Sequence, residues 1–302
     1  MKTKMSAISL LSICLGFIIT SCSNFSSKPT LQDEKSNNLF SFAYFTDVHI
    51  NANNQGMCNE GLGQALERAN QDSIDFILFG GDNADTDALG DKEATADSLH
   101  SRFKSIVDKS KIKSYFTIGN HDRFYLKNNQ PDSLGFGMFE KHYGKTYYSF
   151  NHKGVHFIVL NSLYPCNEYS YSINPEQIEW LKNDLKNTGE KTPVIVSLHV
   201  PMLSLYYPVV EGNFKGLDMI YNTKEVLDIL NQYNLKLVLQ GHQHIYEQIQ
   251  ERNRWFVTAG AVSAYWWGGS FLETEEGYLK VDIDKNFNVR WKYIDYGWTK
   301  QQ

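Results

Sequence analysis

The 302-residue chain is 42% hydrophobic and carries a formal charge of −5, and its 18 Tyr and 18 Phe make it rich in aromatics. No basic block, internal repeat or second long apolar run interrupts it, which gives no electrostatic platform for nucleic acid and points to one compact, soluble domain.

The first stretch reads as a targeting segment. Lys2 and Lys4 precede an apolar run from Ile8 to Ile19, and small Thr20 and Ser21 follow it. A basic start, a short apolar centre and a small-residue end describe a secretory signal, too short for a membrane span. Ile19-Thr20-Ser21-Cys22 resembles the lipobox of bacterial lipoproteins, which implies cleavage before Cys22 and a lipid anchor on it. The alternative is an ordinary signal peptide with an incidental cysteine. Residues 1–21 are then a signal, 22–38 a polar, flexible tether and 39–302 the folded domain. The expected location is extracytoplasmic, facing the periplasm or at the cell surface. Loss of Lys2 and Lys4 takes the charge from −5 to −7. Cys58 and Cys166 are the remaining cysteines; a disulfide and two free thiols are both compatible with that compartment.

Within the body, β-branched and aromatic runs predict strands ending at Asp47, at Gly80-Gly81-Asp82 and at Ile118. Helices are expected between them at Leu62–Asn70 and Glu93–Lys109, the latter with Leu99, Phe103, Ile106 and Val107 at helical spacing. This alternation implies parallel strands with crossover helices. A hairpin over Tyr147–Phe150 and Val155–Leu160 follows. The next helix is capped by Asn174, carries Pro175 at its first position and stops at Gly189. Strands before His199 and His242, a helix at Thr223–Gln232, a strand at Trp255–Thr258 and a closing hairpin, Tyr278–Ile283 with Val289–Ile294, complete the pattern. It suggests two mixed sheets packed together with helices outside.

Five of these strands end in polar clusters: Asp47-Val-His49, Gly81-Asp82-Asn83-Ala84-Asp85, Gly119-Asn120-His121-Asp122, His199 and Gly241-His242-Gln243-His244. The carboxyl ends of strands are where α/β sheets place their sites. Each cluster alone reads equally as a turn or a core histidine; their shared location is the signal. Five of the nine histidines fall in them. Asp47, His49, Asp82, Asn120, His199, His242 and His244 make a donor set of oxygen and nitrogen that suits Mn, Fe or Zn. Seven donors exceed the need of one tetrahedral ion and suffice for two divalent ions if one carboxylate bridges.

In this order the clusters resemble the calcineurin-like metallophosphoesterase superfamily, over roughly Ala43 to Ala259. The resemblance implies a four-layer α-β-β-α sandwich of two mixed sheets. It implies one metal on Asp47, His49 and His244, a second on Asn120, His199 and His242, and Asp82 between them. It also implies phosphate-ester hydrolysis by a metal-bridging hydroxide, with His121 steadying the transition state or protonating the leaving oxygen. Asp85 stands where purple acid phosphatases carry a metal-binding tyrosine, which argues against that branch; it is expected either to support His121 or to be a turn carboxylate. Asn161 either faces substrate or holds its turn. Arg123 is read as a surface arginine, with a phosphate clamp as the alternative.

The expected substrate is a small phosphate ester. The segment from Tyr143 to Asn161 resembles the cyclic-nucleotide phosphodiesterase-like branch and favours a diester; the alternative is a phosphomonoesterase acting on nucleotides or sugar phosphates. A non-catalytic metal- or ligand-binding lipoprotein is the remaining reading. Specificity is expected from the loops Leu163–Ser172, Met202–Asp218 and Ala261–Phe271. Their aromatics, among them Tyr171, Tyr265, Trp266 and Trp267, would either stack a substrate or pack beneath the loops.

Overall fold

The computed structural model describes residues 37–125, 132–167, 170–212 and 218–299. The expected signal, the tether through Ser36 and the anchor Cys22 lie outside the described residues, as do parts of the expected specificity loops Leu163–Ser172 and Met202–Asp218. The described body begins with β1 (Asn38–Phe45), which takes in Asn38, the last residue of the expected tether. Among the described residues no helix is long and apolar enough to cross a membrane.

The first half is a run of crossover units. β1 leads through α1 (Gln55–Gln71) to β2 (Phe76–Phe79), and β2 through α2 (Glu93–Lys109) to β3 (Lys113–Phe116). α2 has the expected bounds, and Leu99, Phe103 and Val107 form its buried stripe. α1 starts at Gln55, earlier than expected, and its first turn already packs Met57 and Cys58 against the core. A short helix, α3 (Gly137–Tyr143), precedes the hairpin of β4 (Tyr148–His152) and β5 (Val155–Val159). A two-stranded ribbon follows, β6 (Tyr164–Asn167) with β7 (Ser170–Ser172).

The second half repeats the logic. α4 (Pro175–Thr188) is capped as expected: the Asn174 side chain accepts from Gln177 N at 3.0 Å, and Gly189 ends the helix at φ 85°. β8 (Pro193–Ser197), α5 (Thr223–Leu230) and β9 (Asn234–Gln240) come next. β10 (Tyr246–Glu251) and β11 (Arg254–Ala259) form a hairpin, and β12 (Gly277–Asp284) and β13 (Val289–Asp295) close the chain.

Two mixed sheets result, one in the order β13-β12-β1-β2-β3 and the other β10-β11-β9-β8-β5-β4. The first is antiparallel through β13-β12-β1 and parallel through β1-β2-β3, and the second has a parallel centre with an antiparallel pair at each margin. Alternation along the strands assigns each side chain a layer. Phe42, Tyr44, Phe76 and Leu78 meet Phe157, Val159, Ile195 and Leu239 between the sheets. Phe42 stacks on Phe76 at 5.0 Å, and Phe157 meets Phe76 edge-on at 5.3 Å. The opposite faces, with Ala43, Phe45, Ile77 and Val196, pack in the core that takes Leu62, Phe103, Leu181 and Val226 from the helices. This is the α-β-β-α arrangement, and it leaves the carboxyl ends of β1, β2, β3, β8 and β9 free to carry loops. Cys58 is buried and Cys166 exposed, and no disulfide joins the two.

Candidate metal centre

The five strand ends bring the polar clusters together. Asp47, His49 and His244 form one group of converging donor atoms, and Asp82, His199 and His242 form a second. The Asp82 carboxylate stands between them: its Oδ2 is 3.1 Å from His199 Nε2 and 3.9 Å from His49 Nε2. Asn120 joins the second group, with Oδ1 3.2 Å from His199 Nε2. Asp47 Oδ1 is 3.4 Å from His244 Nε2 and 3.9 Å from those of His49 and His199.

The backbone is bent to achieve this. Asp47, His49, Asp82, His242 and His244 all take φ between 54° and 74°, a left-handed region that costs non-glycine residues roughly 1–3 kcal/mol each. The neighbouring backbones approach so closely that a Cβ on Gly119 would overlap the backbone and carboxylate of Asp82. Backbone hydrogen bonds tie the loops in pairs, Asp47 N to Gly81 O at 2.9 Å and His49 N to Asp82 O at 2.9 Å. Asp122, fully buried, accepts from Gly119 N, Asn83 N, Ala84 N and Asn83 Nδ2 at 2.9–3.1 Å, joining the Asp82 and Asn120 turns. Burial, and then the charge of Asp82, push its carboxyl up to about 7.

The ring nitrogens show which atoms are free to bind. His49 Nδ1 is held by Asp85 Oδ1 at 2.6 Å, His199 Nδ1 donates to Gly80 O at 2.9 Å, and His244 Nδ1 donates to Ala264 O at 2.5 Å. Each ring is oriented from behind, as metal-binding imidazoles are, and presents Nε2 to the centre. His49 Nε2 and His244 Nε2 then lie 3.0 Å apart, two lone-pair atoms that need a cation or a proton between them. Burial opposes charge on both rings. The carboxylates of Asp85, Asp82 and Asp47 nonetheless raise His49, whereas burial dominates at His244 and takes it down to about 4. At Asp82 burial is outweighed by His199, His121 and His49, which hold its carboxyl well below the usual range. This donor set fits two divalent metal ions.

His121 stands at the edge of the centre, its ring 5.2 Å from that of His49. Its backbone N donates to Asp82 Oδ1 at 2.8 Å, and its Nδ1 pairs with Asp87 Oδ1 at 2.9 Å. Burial lowers its basicity, but the carboxylates of Asp87, Asp82 and Asp85 raise it further, to about 10. Asp85 is neither a plain turn carboxylate nor the direct partner of His121, which it reaches only through its charge. Asp85 is turned to His49, and Asp87, two residues on, reaches His121; a strand-end turn does not keep the two-residue alternation of an extended segment. Asp85→Ala is expected to weaken metal binding about 10–100-fold, because His49 loses the acceptor that fixes its ring. Titration of the metal-free protein with Mn²⁺ reads this directly.

Asn161 holds its turn: its Oδ1 accepts from Leu163 N at 3.0 Å, and its backbone is bracketed by Gln177. Of the two adjacent tryptophans, Trp267 is fully buried and donates Nε1 to Val48 O at 2.9 Å, bracing the Asp47–His49 loop. Trp266 instead stacks on His244 with ring centres 4.2 Å apart and stays 39% exposed. Tyr265 stacks on Phe271 and is exposed.

Behind the Asn120–Arg123 turn lies a buried network that the sequence did not single out. Thr86 Oγ1 donates to Arg123 O at 2.9 Å and lies 3.4 Å from His100 Nε2, and His100 Nδ1 meets the Tyr143 hydroxyl at 3.0 Å. Burial, with His142 nearby, takes His100 down to about 3. The native ring thus binds fewer protons than the unfolded one between that value and about 6.5. Its contribution to stability is complete above pH ~6.5 and declines as pH falls, by roughly 1 kcal/mol per pH unit. Urea unfolding at pH 7.5 and 5 should show this decline, and His100→Asn should flatten it.

A family model described as calcineurin-like phosphoesterase matches residues 40–246. Purple acid phosphatase 15 of Arabidopsis thaliana is 33% identical over 104 residues, which cover 34% of this chain and 18% of that protein. Serine/threonine-protein phosphatase CPPED1 of Bos taurus is 28% identical over 196 residues, 64% of this chain and 58% of the relative. The chain thus spans about a fifth of the plant protein and little more than half of the bovine one. Among solved structures, a purple acid phosphatase from yellow lupin (Lupinus luteus) superposes with a TM-score of 0.61 at 15% identity, over 85% of this chain and 51% of that one. A dimetal phosphatase from Danio rerio superposes with 0.58 at 12% identity, over 86% of this chain and all of that one. These two show the same fold. With the family model covering strands of both sheets and all five donor clusters, the chain belongs to the calcineurin-like phosphoesterases.

Proposed function

We propose that this protein hydrolyses small phosphate esters with two divalent ions held at the strand ends. The observation that carries the reading is the pair of donor groups meeting at Asp82. Asp47, His49 and His244 would hold one ion, Asn120, His199 and His242 the other, and Asp82 would touch both. Bound ions of this kind neutralise phosphoryl oxygens and lower the pKa of water to roughly 7. The chain supplies the rest. The imidazoles are fixed by Asp85, Gly80 O and Ala264 O, so little reorganisation remains for the reaction itself. His121, steadied by Asp87, offers its other nitrogen to the leaving oxygen as a proton donor.

A diester preference is supported by the segment from Tyr143 to Asn161. A monoester preference is supported by the printed names of the plant and bovine relatives, which are all phosphatases. Export and anchoring through Cys22 are supported by the leader, with its Lys2, Lys4 and apolar Ile8–Ile19, and place the substrate outside the cytoplasm in this reading. The deciding experiment loads the mature domain with Mn²⁺, Fe²⁺ or Zn²⁺ and compares p-nitrophenyl phosphate with bis-p-nitrophenyl phosphate, with Asn120→Ala as the blank. Faster cleavage of one ester assigns the class. No cleavage above the blank with any ion refutes the enzymatic reading and favours a metal-binding lipoprotein.

A further inference from the structure

Arg123 directly follows the Asn120-His121-Asp122 turn, and it is not the loose surface arginine that the sequence suggests. Its Nε donates to Asn120 O at 3.3 Å, and its Nη2 donates to the Tyr171 hydroxyl at 3.2 Å. The guanidinium lies over the rings of Tyr125 and Tyr171, 5.1 and 5.5 Å from their centres. Its own carbonyl is fixed by Thr86. Two aromatic faces, one hydroxyl and one carbonyl therefore set the plane of the fork, and the side chain is half-buried. None of these partners neutralises it: among the described residues Arg123 forms no ion pair with a carboxylate, although the centre beside it is dense in aspartates. A guanidinium oriented on neutral groups keeps its charge and its remaining N–H donors for an anion. Tyr171 comes from the β6–β7 ribbon, so two separate parts of the chain converge to build the position.

We propose that Arg123, clamped by Tyr125 and Tyr171, is a subsite for a second anionic group of the substrate, a non-scissile phosphate or a carboxylate. The inference rests on the phosphoesterase reading of the neighbouring centre and narrows its substrates to esters with two anionic ends. Bidentate contact of a planar fork with a phosphate or carboxylate is the geometry arginine serves best.

The test uses two matched pairs on the Mn²⁺-loaded protein: adenosine 3′,5′-bisphosphate against adenosine 5′-monophosphate, and 3-phosphoglycerate against glycerol 3-phosphate. Each is measured as a competitor of p-nitrophenyl ester hydrolysis and by direct calorimetric titration. The doubly anionic member of at least one pair should bind about 10–100-fold more tightly, the worth of a hydrogen bond to a charged group. Which pair responds identifies the second anion as phosphate or carboxylate. Arg123→Gln should bring that ratio close to one, and Arg123→Lys should leave a part of it. Tyr171→Phe should lower the ratio less than Arg123→Gln does. Equal affinities within both pairs in the native protein would overturn the subsite. So would an Arg123→Gln protein that loses affinity equally for both members, since the arginine would then act on the scissile phosphoryl group. The calorimetric titrations are made on the His121→Asn protein, which is expected to keep both ions while turning over slowly, so the ratio is read apart from hydrolysis. A protein that hydrolyses neither p-nitrophenyl ester sinks the proposed activity, while the ratio still decides for or against Arg123.

Discussion

Asp82→Ala is expected to reduce the bound metal from two ions per chain to one or none, and to lower phosphate-ester hydrolysis by at least about 10²–10³-fold. Every contact of this side chain supports that size of effect. Its Oδ2 is the oxygen within reach of both His199 and His49, so it is the atom that would link the two donor groups. Its Oδ1 accepts the backbone N–H of His121 at 2.8 Å and so helps to place the proton donor. The carboxylate is also a buried negative charge facing several imidazoles, and removing one side of such an arrangement leaves the other uncompensated. Asp82→Asn separates these roles, because the amide oxygen can still accept from His121 N while the charge is gone. Metal content by atomic absorption and turnover with bis-p-nitrophenyl phosphate should fall together in both variants. An Asp82→Ala protein that keeps two ions and its full rate would sink the two-ion site.

The parts of this centre that were legible in the sequence are those set by short-range rules. Each strand core is a β-branched or aromatic run, and the residue types after it change abruptly to Asp, Asn and His, so the ends of β1, β2, β3, β8 and β9 stood out. α2 and α4 were legible because periodic apolar residues agree with their ends, and in α4 with the Asn174 cap. What stayed hidden depends on directions that turns impose. No local pattern announces that Asp47, His49, Asp82, His242 and His244 share left-handed backbone, since only the packing of neighbouring loops holds them there. The same turn geometry gives Asp85 to His49 and Asp87 to His121, although Asp85 is the one aligned with the familiar motif. β10 escaped notice because its residues alternate between exposed and half-buried and offer no apolar face. Trp266 and Trp267 are chemically identical neighbours, and only the loop's path decides that one braces the core and the other stacks on His244. The setting of Arg123 stayed hidden for a similar reason: its orienting tyrosines, Tyr125 and Tyr171, lie 46 residues apart in the chain.

His121→Asn is expected to leave both ions in place and to lower kcat by about 10²–10⁴-fold, the usual worth of a positioned acid. The variant discriminates between roles that the structure brings close together. His121 can be grouped with His49 and Asp82 as a donor set, so a metal-binding histidine is the competing assignment. A ligand would be oriented by a partner on one nitrogen and would bind through the other; a proton donor needs the same orientation but an open path to the leaving oxygen. The pairing of Nδ1 with Asp87 serves both, and metal content separates them, since only a ligand's loss removes an ion. Leaving-group dependence then tests the chemistry. An acid matters most when the departing alkoxide is basic, so the loss should be large for a simple alkyl phosphate and small for p-nitrophenyl phosphate, whose phenolate leaves unaided. Equal losses on both esters with metal retained would assign His121 to stabilising phosphoryl charge instead of moving a proton. Asp87→Asn should show the same leaving-group pattern at reduced amplitude, because the amide still orients the ring but no longer favours its protonated form. If Asp87→Asn changes neither rate nor pH profile while His121→Asn does, the dyad is only a structural contact and His121 acts alone.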